Sequence, residues 1–146
     1  MTALVRDAGR NDELLRRLGA ARVLDAVEGE FDVVVDAVGG TTFGAAIEHV
    51  APRGLVVNLA TGSPDEVVSF RAAGFDRAHG ARIATFNLLA GLEGSDAAGD
   101  LARLVLLMEQ RRLEAPERLE APWQDVGRAI DALLSRELSG KAVLHV

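Results

Sequence analysis

Phe31-Asp32-Val33-Val34-Val35-Asp36-Ala37-Val38-Gly39-Gly40 is the stretch whose reading decides the fold. Its three central valines are apolar on both faces, the pattern of a strand buried inside a parallel sheet, and the glycine pair supplies the turn that follows. Thr41 or Thr42 then offers a helix cap, and Phe43, Ala46, Ile47 and Val50 fall along one helical stripe. Pro52-Arg53-Gly54 breaks that helix, and Leu55 to Ala60 reads as a second apolar strand ending in Thr61-Gly62-Ser63-Pro64. A third strand is expected over Ala81 to Phe86. Upstream, Thr2 to Val5 reads as a short strand. Asn11-Asp12 offers caps for a helix carrying Leu14, Leu15 and Leu18 up to Gly19, and Arg22-Val23-Leu24 forms another short apolar segment. Strands alternating with helices in this way predict a doubly wound, parallel α/β sheet.

Beyond Asp96 the periodicity becomes helical. Leu101, Leu104, Val105 and Met108 share one face of a helix predicted over Asp96 to Leu113, with the charge run Glu109 to Arg112 as its solvated end. Composition shifts at Glu114-Ala115-Pro116, the expected boundary between residues 1–113 and 114–146. The second part holds Arg118-Leu119-Glu120, a helix with Val126, Ile130, Leu133 and Leu134 on one face, and a final strand Ala142 to Val146. Trp123, beside Pro122, is read as a packing anchor. No internal repeat or low-complexity tract occurs.

Composition excludes several function classes. A chain of 146 residues with 49% hydrophobic and 26% charged residues is long enough for an ordinary core and has no apolar run near the length of about 18 residues that a membrane span needs. Its first residues, Met1 to Arg6, lack the pattern of a secretory signal, so a cytoplasmic location is expected. There is no cysteine, which removes disulfides, thiolate zinc sites and thiol catalysis together. A net charge of −6, with arginines scattered rather than clustered, argues against nucleic-acid binding. His49, His79 and His145 are not spaced as metal ligands or paired with a serine, and are read as structural or solvated.

Two strand ends carry the chemistry. Asp36 to Gly40 places glycines where backbone can approach a ligand closely, and Asn58-Leu59-Ala60-Thr61-Gly62 offers an amide, a hydroxyl and another glycine one strand later. Taken one at a time, either segment could equally be punctuation at the end of a strand. Together with Leu14 to Ala20, Gly54 to Asn58 and the closing Ser139-Gly140-Lys141-Ala142-Val143-Leu144, their succession resembles the medium-chain dehydrogenase/reductase superfamily, with the zinc-independent quinone oxidoreductases and enoyl reductases as the nearest branch. The resemblance runs over essentially the whole chain.

That resemblance implies a Rossmann-like domain binding NADP(H), with NAD(H) as the alternative. Val38, Gly39, Ala60, Thr61, Gly62, Phe86 and Asn87 would lie near the nicotinamide. Arg6, with Arg10 as a helper, would meet the adenosine ribose, where an arginine suits a 2′-phosphate. For Arg6 the alternative is a solvated arginine ahead of a helix. No catalytic acid and no metal ligand is assigned, because the cofactor performs the hydride chemistry. The superfamily sheet has strand order 3-2-1-4-5-6, and its first strand and glycine-rich loop have no counterpart here, since no G-x-G-x-x-G occurs. The expectation is a fragment or a start assigned too far downstream; a strand supplied by another chain is the third explanation. Residues 114–146 would return to the catalytic domain of such a protein. The resemblance further implies a small-molecule substrate, a quinone or an enone, and a homodimer formed through Ala81 to Phe86. The isolated chain is expected to be inactive. A non-catalytic, truncated module serving assembly is the competing reading, and a methyltransferase or response-regulator-like domain a more distant one.

Overall fold

A computed structural model describes residues 1–60, 65–92, 94–114, 118–138 and 140–146. The chain forms two compact units, Met1–Ser95 and Asp96–Val146. In the first, β1 (Thr2–Leu4) leads through α1 (Ala8–Arg17) to β2 (Arg22–Leu24), which pairs parallel to β1. β3 (Phe31–Asp36) leads through α2 (Gly40–Glu48) to β4 (Val50–Asn58), and after the short α3 (Ala72–Asp76) comes β5 (Arg82–Thr85). These last three strands form one parallel sheet in the order β3-β4-β5. A short helix, α4 (Leu88–Leu92), closes the unit. The parallel α/β architecture expected from the sequence is therefore present, divided into a two-stranded and a three-stranded ladder.

The core of this unit lies on one side of the larger sheet. Ile47 and Val50 from the end of α2 and the start of β4 meet Val56, and all three are fully buried, with Ala46 and Ala78 beside them. Each such side chain contributes roughly 1.5–3 kcal/mol by leaving water. Val34 of β3 packs onto this cluster, but Val33 and Val35 are 61% and 62% exposed. The expectation that β3 is buried on both faces is thus corrected: successive side chains point to opposite faces, and only the face carrying Val34 and Asp36 is covered.

Local chemistry moved several element ends. Asp7, not Asn11 or Asp12, caps α1, its carboxylate accepting the Arg10 N–H at 2.9 Å. Neither Thr41 nor Thr42 caps α2; the helix starts at Gly40 behind Gly39, with no side-chain cap. Pro52-Arg53-Gly54 does not separate helix from strand but forms a bulge inside β4, where the register jumps from Phe31↔Val50 to Val33↔Leu55. Gly54 is required there, because a Cβ would stand 2.9 Å from the carbonyl oxygens of Asp32 and Ala51. The carboxyl end of α2 is held by arginines from the following segment. Glu48 accepts the backbone N–H and the Nε–H of Arg71, both at 2.7 Å, while Arg77 donates to the Glu48 carbonyl at 2.7 Å and pairs with Glu30. Carbonyls at a helix end need such partners.

In the second unit α5 (Ala97–Glu109) is capped by Asp96, whose carboxylate accepts the Gly99 N–H at 3.0 Å. β6 (Arg118–Pro122), a 3-10 turn at Trp123–Asp125, α6 (Val126–Leu134) and β7 (Lys141–His145) follow as a parallel strand-helix-strand unit. Ala121 and Ala129 are its buried apolar residues among those described, and His145 meets Glu120 at 3.2 Å. Trp123 is 55% exposed, which corrects its reading as a packing anchor. No helix among the described residues is long and apolar enough to cross a membrane.

Three outcomes are expected. In Gly44→Ala a Cβ would overlap the Ser69 carbonyl oxygen, so urea denaturation should show a loss of about 1–3 kcal/mol. Gly127→Ala, on α6 with open space around it, should gain about 0.5–1 kcal/mol. Arg71, chiefly through its side-chain hydrogen bond, holds the Glu48 carboxyl below its ordinary range. A carboxylate depressed in the folded state stabilises above its unfolded pKa, and that contribution is lost as pH falls through the folded value. Removing the cation should therefore shrink the fall in urea midpoint below about pH 4, measured as Arg71→Gln against the parent.

Candidate functional site

The carboxyl ends of β3, β4 and β5 stand in register, with Asp36 opposite Asn58 and Asn58 opposite Thr85. In parallel α/β sheets the crevice beyond these ends is where ligands bind. Asp36 is the buried polar residue of this face, 5% exposed, and its Oδ2 accepts the Gly39 N–H and an Nδ2–H of Asn58, each at 3.0 Å. Asn58 Nδ2 also donates to the Ala60 carbonyl at 2.9 Å, so one side chain ties the turn after β3 to the segment after β4. Backbone bonds carry the tie across the sheet: Leu59 N–H to Asp36 O at 2.7 Å and Phe86 N–H to Asn58 O at 2.9 Å.

Asp36 imposes a sharp turn. Gly39 has φ 82° and ψ −163°, a conformation essentially confined to glycine, and α2 begins immediately after it. The turn leaves Val38 57% exposed, and Leu59 and Phe86 are 44% and 49% exposed on the neighbouring ends. Asn87 caps α4, its Oδ1 accepting the Ala90 N–H at 3.1 Å. The edge of this sheet thus presents an apolar rim, Val38, Leu59 and Phe86, backed by a buried carboxylate whose Oδ2 accepts two hydrogen bonds.

Of the residues singled out in the sequence, Val38, Gly39, Ala60, Phe86 and Asn87 come together at these three strand ends. Thr61 and Gly62 lie outside the described residues. Arg6 follows β1 of the separate two-stranded ladder and Arg10 lies in the first turn of α1, and both are exposed. Asp7 between them is committed to capping α1. Asp36 was not among the site residues chosen from sequence, although an aspartate closing an apolar strand three residues before a glycine is the spacing of a side chain capping its own turn. Among the described residues no group of three or more histidines, aspartates and glutamates could hold a metal ion.

The model of one protein family, described as zinc-binding dehydrogenase, matches residues 12–144. No curated protein matches the chain. Several solved structures share its fold. A quinone oxidoreductase from Pseudomonas syringae pv. Tomato is 20% identical with a TM-score of 0.73, the match covering 99% of this chain and 48% of that one. A mycobacterial protein solved with NADPH is 22% identical, TM-score 0.74, with 99% and 49% covered. A 2-enoyl thioester reductase heterodimer from Candida tropicalis is 15% identical, TM-score 0.73, with 92% and 44% covered. The chain therefore spans less than half the length of these similar chains and corresponds to their Rossmann-like, C-terminal portion.

The Asp36–Asn58 bond should act as a unit. A double-mutant cycle with Asp36→Ala and Asn58→Ala, followed by urea denaturation, should give a coupling energy of about 0.5–3 kcal/mol, whereas strictly additive losses would show that the strand ends are held by the backbone ladder alone.

Proposed function

The chain belongs to the zinc-binding dehydrogenase family, within the medium-chain dehydrogenase/reductase superfamily, and we propose that it forms the cofactor-binding part of an NADPH-dependent reductase acting on a quinone or an activated alkene. The observation that carries this reading is the register of the three strand ends, which lines up Val38, Gly39, Ala60, Phe86 and Asn87 along one rim. A nicotinamide ring is flat and largely apolar, and a rim of exposed valine, leucine and phenylalanine suits it. The bound cofactor supplies the hydride, and the protein supplies orientation and electrostatics. Asp36, held at 3.0 Å by Gly39 and Asn58, keeps that rim in place.

Arg6 supports NADPH over NADH, since a guanidinium pairs well with a 2′-phosphate. Between these two ends the fit is incomplete. The amino terminus of α1 is closed by the carboxylate of Asp7, which repels a pyrophosphate, and no described residues form a glycine-rich phosphate turn. A chain without cysteine offers no thiolate for zinc, which supports the zinc-independent branch. Residues 1–113 are proposed as the cofactor-binding part and 114–146 as the segment that meets the catalytic domain, with a homodimer through the β5 strand and a cytoplasmic location. The division of the first unit into two ladders favours one competing reading, a module kept for assembly that binds no dinucleotide.

Titration of the chain with NADPH and NADH, followed by cofactor fluorescence, separates the two readings. Arg6→Ala should weaken NADPH about tenfold or more, the loss of one charge-assisted hydrogen bond, and leave NADH nearly unchanged. Identical NADPH curves for parent and variant would remove Arg6 from the site; no saturation at about 1 mM would favour the assembly module.

A further inference from the structure

We propose that Glu66 to Arg71 form a strap along α2 that opens and closes as a unit, independently of the core, with the Arg71–Glu48 pair as its latch. Three contacts trace its path. The Glu66 carboxylate lies against Gly40, where a Cβ would overlap Oε1, and the Ser69 carbonyl lies against Gly44, where a Cβ would overlap its oxygen. Arg71 then bonds the Glu48 carboxylate through its backbone N–H and its Nε–H, each at 2.7 Å. Gly40, Gly44 and Glu48 stand four residues apart and so form one row on the surface of α2. From the first to the last the helix rises about 12 Å, and five steps of extended chain cover about 16 Å. Because such a row runs inclined to the helix axis, an extended segment follows it with little slack.

Charge matches the strap to the helix. The amino end of a helix carries partial positive charge and the carboxyl end partial negative charge. α2 has no acidic residue in its first turn, no basic residue in its last and no side-chain cap. The strap supplies both charges from outside the helix, Glu66 at Gly40 and Arg71 at Glu48. Arg77, beyond the strap, assists at the carboxyl end by donating to the Glu48 carbonyl at 2.7 Å.

What the strap lacks is a ladder. Among the described residues, no backbone N–H or C=O from Glu66 to Phe70 takes part in a hydrogen bond. Val68 packs on the core cluster and Phe70 meets the edge of the Phe75 ring, with centroids 6.0 Å apart, while Val67 is exposed. A segment with few backbone bonds and exposed side chains opens at far lower cost than the core. The latch faces solvent, since the Arg71 side chain is 83% exposed, so salt weakens it. Opening bares the buried Gly40 and Gly44 beside Val38 and Gly39, the turn that carries the strand-end rim. The strap therefore gates that end of the sheet. The proposal stands apart from the cofactor reading, because its test contains no dinucleotide.

The chain contains no cysteine, so one introduced thiol reports one place. Val68→Cys lies half-buried in the strap, and Val56→Cys is fully buried in the core, with Ala78→Cys as a second core site. Each folded variant is reacted with dithiobis-nitrobenzoate across a urea series. Without urea the strap thiol should react about a hundredfold or more faster than either core thiol. Its rate should also depend less on urea, because local opening exposes less surface than unfolding. Raising NaCl from about 0.1 M to about 1 M shortens the screening length from about 10 Å to about 3 Å and should speed the strap thiol about twofold. Adding Arg71→Gln should speed it about fivefold and change the core thiols less. Equal rates and equal urea dependence at strap and core would overturn the proposal, since the strap would then leave only when the chain unfolds. A strap thiol as fast as that of a short peptide carrying the same residues would overturn it too, because the strap would not be seated. A strap rate unmoved by both salt and Arg71→Gln would remove the latch, and the proposal with it.

Discussion

One buried carboxylate organises the rim of the larger sheet. Asp36 ends β3 inside the protein, and a carboxylate taken out of water must have donors. It has two, the backbone of its own turn and the amide of Asn58. The first forces Gly39 into a conformation that other residues resist, and this lets α2 start at once and bring Ala46 and Ile47 onto Val56. The second fixes where the chain goes after β4. Core packing on one side of the sheet and the apolar rim at its carboxyl ends therefore share an origin.

The division of the first unit into two ladders is the other constraint. Each ladder is a complete strand-helix-strand crossover, β1-α1-β2 and β3-α2-β4, and each satisfies its own hydrogen bonds on the inner side. β1 pairs with β2 alone, and β3 is the outer strand of the order β3-β4-β5. The adenosine-side candidates Arg6 and Arg10 belong to one ladder and the nicotinamide-side candidates to the other.

Much of this was legible in the residues, and the reasons for the misses are specific. β3 starts and stops where the apolar run and the glycine pair say it should, at Phe31 and Asp36, because a run of valines between two turns has few alternatives. The helix α6 was equally clear, although Ile130, Leu133 and Leu134 of its predicted stripe are exposed and Ala129 is the buried residue. Caps were harder: Asp7 competed with Asn11 and Asp12 for one helix start, and only three-dimensional context shows which carboxylate meets a free N–H. The β4 bulge was unreadable because Pro52 normally ends elements, whereas here the register shift places it where no ladder bond is required. Pairing of strand ends across the sheet, and hence the part played by Asn58, depends on register, which no single strand encodes. Arg71 and Arg77 at the end of α2 lie 23 and 29 residues from the Glu48 groups they hold, beyond any local pattern.

Trp123 is the single tryptophan, it sits in the second compact unit, and it is more than half exposed. Its emission is therefore a gauge of the β6-α6-β7 unit and already resembles that of a solvated indole in the native state. The half of the molecule that carries the strand-end rim contains phenylalanine but no tyrosine or tryptophan, so it is spectroscopically dark. An unfolding curve recorded by intrinsic fluorescence would follow the wrong half, and coincidence between that curve and far-ultraviolet circular dichroism becomes the measure of whether the two units melt together.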